Sequence, residues 1–310
     1  MFHHIALRRA VAAGALALGL RPAATAAQTL DDADFMKARV ACLTVVVMTD
    51  AWSEYWEGAL KRTNGNIGTL TMQEVSTMAA YGVTDNLTLL ATLPYVRTEA
   101  SQGVLQGQRG LQDLTVGAKL RLLATPFTDV GTMHVIAVAA ASTPVGDYTP
   151  DFLPMSIGLG ARQLMARGTL SFQAKRGWFA NGSVGYAWRD NVTLARSAYY
   201  TDGRLVNSNQ VAMPDVVDYV FALGWQGTGW DVVAPLTTRR TLGGSDIRRQ
   251  DMPFVSNRMD VQRLDARLRW TLPRLPAAML QVGGGTVLDG RNVGQSTTFS
   301  AGVVLIGRVF

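Results

Sequence analysis

Proton transfer at neutral pH most often falls to histidine, and beyond His3 and His4 this chain holds only His134. Its context, Thr132-Met133-His134-Val135-Ile136, reads as a strand, so this histidine is expected to face a lumen or pack. A serine nucleophile would need that one histidine plus an orienting acid, and no local motif supplies the set. Cys42 is the single cysteine, which excludes an internal disulfide and leaves too few ligands for a His/Cys metal cluster. Arg39-Val40-Ala41 before it lacks the apolar residue of a lipidation box, so Cys42 reads as a small buried apolar residue. Gly290 to Thr297 resembles a phosphate loop only superficially. Three residues separate its glycines, and Gln295 stands where lysine belongs. No cofactor, no metal and no enzymatic activity are expected.

The more informative polar residues lie in alternating segments. From Arg263 to Leu272 every even position is apolar, and every odd one is polar. As a strand, this puts Leu264, Ala266, Leu268, Trp270 and Leu272 on one face. The pattern recurs from Asp113 to Leu122, from Thr169 to Lys175, and from Ala180 to Arg189. The polar faces carry Asp113, Lys119, Arg121, Lys175, Arg189, Arg263, Asp265, Arg267 and Arg269. Two acids stand against seven bases in that set. One reading is a basic pore lining that concentrates anions. Another is a bracing network, with Asp113 and Asp265 paired to nearby arginines. Both stay open at this point.

The elements that hold these residues are short and numerous. About fourteen candidate strands start near 42, 67, 86, 111, 131, 155, 169, 178, 191, 216, 229, 259, 277 and 298. Arg176-Gly177 is expected to close a tight hairpin, and Gly82 with Asp85-Asn86 to separate the segments 67 to 80 and 86 to 96. Polar stretches around 200 to 215 and 239 to 258 read as loops. Hydrophobic residues make up 48% of the chain and charged residues only 17%, too few to clothe a soluble sandwich of this size. An outer-membrane barrel inverts the sense of alternation, with apolar residues toward lipid and polar ones inside. Tyr81, Tyr95, Trp178, Trp188, Tyr199, Tyr200, Trp225, Trp230 and Trp270 fall near strand ends, where interfacial girdles would place them. The expected fold is therefore all-β, a transmembrane antiparallel β-barrel of 12 to 14 strands.

Residues 1–26 read as a secretory signal peptide: Arg8 and Arg9, the apolar run AVAAGALALGL, then Ala24-Thr25-Ala26. The barrel is assigned to residues 27–310. Removing the leader lowers the net charge from 29 − 23 = +6 to 26 − 23 = +3, which gives no reason to expect a nucleic-acid partner.

Three stretches carry a resemblance: Tyr81-Gly82-Val83-Thr84-Asp85-Asn86-Leu87, then Leu93-Pro94-Tyr95-Val96, then Gly110 to Lys119. They resemble recurrent segments of bacterial outer-membrane proteins grouped as the meta-pathway phenol degradation family. The resemblance implies a barrel in the outer membrane of a Gram-negative bacterium, acting as a channel or transporter for small solutes, with hydrophobic or aromatic compounds as candidates. It supplies no catalytic residues. A structural or adhesive barrel with a filled lumen is the alternative, and an outer-membrane enzyme a further one. Barrels of this kind commonly end on an aromatic that the barrel assembly machinery reads, a role that falls here to Phe310. In that register Phe310 faces lipid with Ile306 and Val304. In the other register Val309, Leu305 and Val303 point outward, and Arg308 is the residue that distinguishes them.

Overall fold

The structure, a computed structural model, describes residues 29–248 and 253–309. The expected leader, residues 1–26, and Phe310 lie outside the described residues. Twelve strands follow one another around a barrel: β1 (Val40–Trp52), β2 (Leu70–Thr84), β3 (Leu87–Ala100), β4 (Asp113–Phe127), β5 (Gly131–Pro144), β6 (Gln163–Ala174), β7 (Trp178–Arg189), β8 (Val216–Gln226), β9 (Trp230–Thr241), β10 (Asp260–Leu272), β11 (Leu275–Arg291) and β12 (Thr297–Arg308). Each pairs antiparallel with its sequence neighbours. Closure comes from β1 against β12, in register from Val40↔Arg308 to Ala51↔Thr297. Closing the sheet removes its edges and satisfies every ladder within the wall, which a lipid environment requires.

Two of the fourteen expected strands are corrected. The one near 155 lies in the 145–162 connection, because the next barrel strand already begins at Gln163 and takes in the strand expected at 169. The one near 191 is a two-residue ladder, Val192–Thr193 with Gln210–Val211. Both belong to loops that pack on one another rather than cross the membrane.

The turns sort by length. Connections at one end are tight, as at 85–86, 175–177 and 227–229, where Gly177 holds φ +91°. At the other end they run long, through 53–69, 145–162, 190–215 and 242–259. In outer-membrane barrels the short turns face the periplasm and the long loops the exterior.

The alternation sorts inside from outside as expected. On β10, Leu264, Leu268 and Trp270 stay 41–49% exposed on the outer face, while Arg269 is 1% exposed. Trp178, Trp225, Trp230 and Trp270 lie near the short turns, with the Trp225 and Trp230 rings 4.3 Å apart. Tyr199 is a correction to the girdle: it is buried in the loop layer, stacked on Phe254 at 5.1 Å. Of the two registers left open for β12, the structure takes the one with Val303 and Val309 outward. Val304 and Ile306 are buried inside with Met36, Cys42 and Met279, while Phe299, Val303 and Val309 are exposed. They turn inward because something occupies the barrel floor there for them to cover. Cys42 is buried in that same cluster.

Candidate functional site

What occupies the floor is the stretch of chain just ahead of β1. Residues 29–39, ahead of β1, carry no regular strand or helix and run into the lumen from the short-turn end. Arg39 N donates to Gly82 O at 2.8 Å, Ala38 N to Asp85 Oδ1 at 2.9 Å, and Met36 N to Thr88 Oγ1 at 3.1 Å. Gly82 allows the approach, since a Cβ there would sit 2.1 Å from Lys37 O. Further in, Phe35 packs on Ile136 and Val138.

Above Phe35 the segment presents Asp31, Asp32 and Asp34, and each meets a base from the wall. Lys119, with no exposed surface, donates to Asp32 Oδ1 at 2.7 Å and to the carbonyl oxygens of Thr29 and Asp32 at 2.6 and 2.8 Å. Arg167 reaches Asp31 at 2.9 Å and Asp218 at 2.6 Å. Arg269 holds Asp231 through Nε, 2.9 Å from each carboxylate oxygen, and Asp34 through Nη2 at 3.1 Å. Burying a charge is tolerable only when it is paired and its donors are used, and these three cations meet that condition.

The other candidate residues divide. Arg263 binds Asp265 through Nε at 2.7 Å and Thr298 Oγ1 through Nη2 at 2.6 Å. Asp113 accepts from the hydroxyl of Tyr148 at 2.7 Å instead of from an arginine. Burial of the ring, followed by that contact, pushes the Tyr148 phenol above its usual range. Arg121 lies over the Phe35 ring at 4.3 Å, a cation–π geometry. Arg189 and Arg267 face cavities, each with an Nε that has no partner among the described residues. Lys175 is exposed in the β6–β7 turn and lines neither cavity.

The expected surplus of two acids against seven bases is corrected by carboxylates outside that count. Asp31, Asp32 and Asp34 enter from the segment, and Asp50, Asp218 and Asp231 from other strands. A signal for the first three was present, because Asp31-Asp32-Ala33-Asp34 is an acidic run ahead of a barrel whose inward faces are rich in arginine.

The segment leaves two cavities. One, of about 520 Å³, is bounded by Asp31 to Phe35, by Met48 of β1 and by β4 to β12. The second, of about 550 Å³, lies toward the long loops and is bounded by Leu30, Asp113 and Arg189 among others. Thr29 and Asp31 line both, so the segment stands between them.

Residues 60–301 match the family described as Putative MetA-pathway of phenol degradation, a span that takes in β2 to β11 whole and the start of β12. The chain belongs to this family. Its fold is similar to that of the COG4313 outer membrane channel from Pseudomonas putida F1, with a TM-score of 0.70 at 15% identity over 93% of this chain and 99% of that one. Weaker likenesses run to the NanC porin, TM-score 0.47 at 9% identity over 84% of this chain and 98% of that one. The translocator domain of the autotransporter NalP from Neisseria meningitidis gives 0.44 at 13% identity over 98% and 95%. No curated protein sequence matches the chain. The family member described here has the fold of a Gram-negative outer-membrane β-barrel, with its apolar face to lipid.

Proposed function

We propose that this barrel is a channel or transporter that carries small solutes across the outer membrane, hydrophobic or aromatic compounds among them. The observation that carries the reading is the interior: a closed wall around two cavities, divided by a segment that forms no ladder with it. A barrel serving only as a scaffold gains by filling its lumen to the density of a core. Here the divider is held by side-chain ion pairs, a few capping hydrogen bonds and the apolar packing of Phe35 and Met36, contacts that can be exchanged without unpairing any strand. Solute entering past the long loops would reach the upper cavity, and passage to the lower one requires the 29–36 segment to yield. Apolar walls at Phe35, Phe179, Val220 and Pro235 in the lower cavity suit solutes with an apolar body. The family description, which names phenol degradation, agrees with such a solute.

The same segment is also what favours the second reading, a structural barrel with a filled lumen. Liposome swelling separates the two. Vesicles carrying the full-length protein should swell in small uncharged solutes faster than protein-free vesicles. Equal rates for solutes of every size tried would favour the filled structural barrel.

A further inference from the structure

The upper cavity is lined by three guanidiniums, Arg167, Arg189 and Arg239, and by three carboxylates, Asp31, Asp113 and Asp218. The pairing among them is uneven. Arg167 is held by two carboxylates at once, Asp218 at 2.6 Å and Asp31 at 2.9 Å. Asp113 is taken by the Tyr148 hydroxyl. Arg189 and Arg239 have no side-chain hydrogen bond or ion pair among the described residues. Arg239 stands in register opposite Asp218, whose carboxylate is spent on Arg167. Asp215, beside Arg189, accepts the Tyr186 hydroxyl on one oxygen at 2.7 Å and the Arg189 backbone N–H on the other at 2.9 Å. Only Nε of the Arg189 guanidinium is shut away without a partner, so its Nη groups are the ones that meet the cavity, and Arg239 is exposed.

Asp31 differs from the other two acids because it belongs to the segment ahead of β1 and not to the wall. Without it the wall holds three guanidiniums against two carboxylates. The wall is therefore cationic by one charge, and the segment neutralises it with a carboxylate. Asp31 is also the loosest of the segment's three acids, with a side chain 57% exposed against 12% for Asp32 and 20% for Asp34. Solvent at that exposure keeps the pair weak, so Asp31 is displaced at little cost. Guanidinium groups receive carboxylates through paired, charge-assisted hydrogen bonds. Met78, Val138, Met165 and Val216 line the same space, which suits a ligand with an apolar body. We infer that the upper cavity binds a solute carrying one carboxylate on an apolar body, received by Arg189 and Arg239, and that this solute competes with Asp31 for Arg167. A solute bound there loosens the divider, since it removes one of the three ion pairs that hold it. The inference rests on the proposed transport function and names a solute class for it.

The test uses the full-length protein in zwitterionic nanodiscs, titrated calorimetrically with hexanoate, hexanol and hexylammonium against empty nanodiscs. Hexanoate is expected to bind at least tenfold more tightly than either of the others, a comparison that needs no variant. Arg189→Gln and Arg239→Gln should each weaken hexanoate about tenfold, the worth of one hydrogen bond to a charged group, and leave hexanol unchanged. Asp31→Asn should strengthen hexanoate severalfold, because the tethered competitor is gone, and hexanoate should speed hydrogen exchange in residues 29–34 of the wild type. Hexanol or hexylammonium as tight as hexanoate, or full hexanoate affinity in both arginine variants, overturns the site. Unchanged or weaker hexanoate binding in Asp31→Asn overturns the competition. Flux of hexanoate into vesicles is read separately. Binding at the site with no flux upholds the site and counts against transport. Flux that ignores both arginine substitutions upholds transport and overturns the site.

Discussion

At the scale of single residues, Lys119 and Arg267 mark the two fates of an inward base. Lys119 is fully buried on oxygens of the N-terminal segment. Lys119→Met leaves Asp32 without its cation in a half-dry interior, and breaking a buried pair this way costs about 3–5 kcal/mol. The loss is expected as faster hydrogen exchange and protease cleavage within residues 29–39, while unchanged protection would show that the pair does not hold the segment. Adding Asp32→Asn should restore part of it. Arg267, by contrast, leaves its Nε without a hydrogen-bond partner among the described residues. Arg267→Ala should shift the reversal potential of reconstituted channels toward cations, whereas unchanged selectivity would remove it from the ion path. Arg269 is unsuited to that test, because its removal strands both Asp34 and Asp231. Alternation made the inward bases legible, since period two assigns a face to every strand residue. It could not assign Asp31, Asp32 and Asp34, which lie on no strand. Charge complementarity is the signal that places them.

At the scale of elements, the hairpins were legible and the loops were not. Arg176-Gly177 announces its turn through the positive φ only glycine takes easily, and the turn is where it was expected. The expected strands near 155 and 191 failed because loop segments that bury apolar residues show the same short apolar runs as strands. Ala161, Val192, Leu194, Tyr199 and Phe254 form one such buried cluster above the barrel. The register of β12 was ambiguous for a related reason. Alternation gives two faces, and only the contents of the lumen decide which is buried. The long loops also carry a pH-sensitive clamp. Arg291 binds Asp246 through Nε at 2.8 Å and Nη2 at 2.5 Å, and Asn292 Nδ2 adds a third bond at 2.8 Å. The Arg291 hydrogen bonds, followed by that of Asn292, hold the Asp246 carboxyl below its ordinary value. A depressed folded pKa means the contribution is complete above the free aspartate value of about 3.9 and vanishes as pH falls through the lower folded value. Protection of residues 242–248 from exchange should therefore decline below that range. Asp246→Asn should lower protection at neutral pH and flatten the dependence. A wild-type profile as flat as the variant's would contradict the clamp.

At the scale of the whole molecule, composition and alternation together made the inverted architecture readable. A chain this apolar and this poor in charge, with arginines facing one way and leucines the other, has lipid outside. The nature of the lumen was not readable in the same way. Strand faces alone left a basic pore and a bracing network both open, and the folded molecule has a nearly neutral interior divided by the segment ahead of β1. The central claim is that this segment gates a solute path and is held there by ion pairs. Single-channel conductance in planar bilayers tests it most directly, comparing the wild type with Asp31→Asn/Asp32→Asn/Asp34→Asn. Small conductance in the wild type and a severalfold rise in the variant are expected. Equal conductance in the two, or none in either, would contradict it.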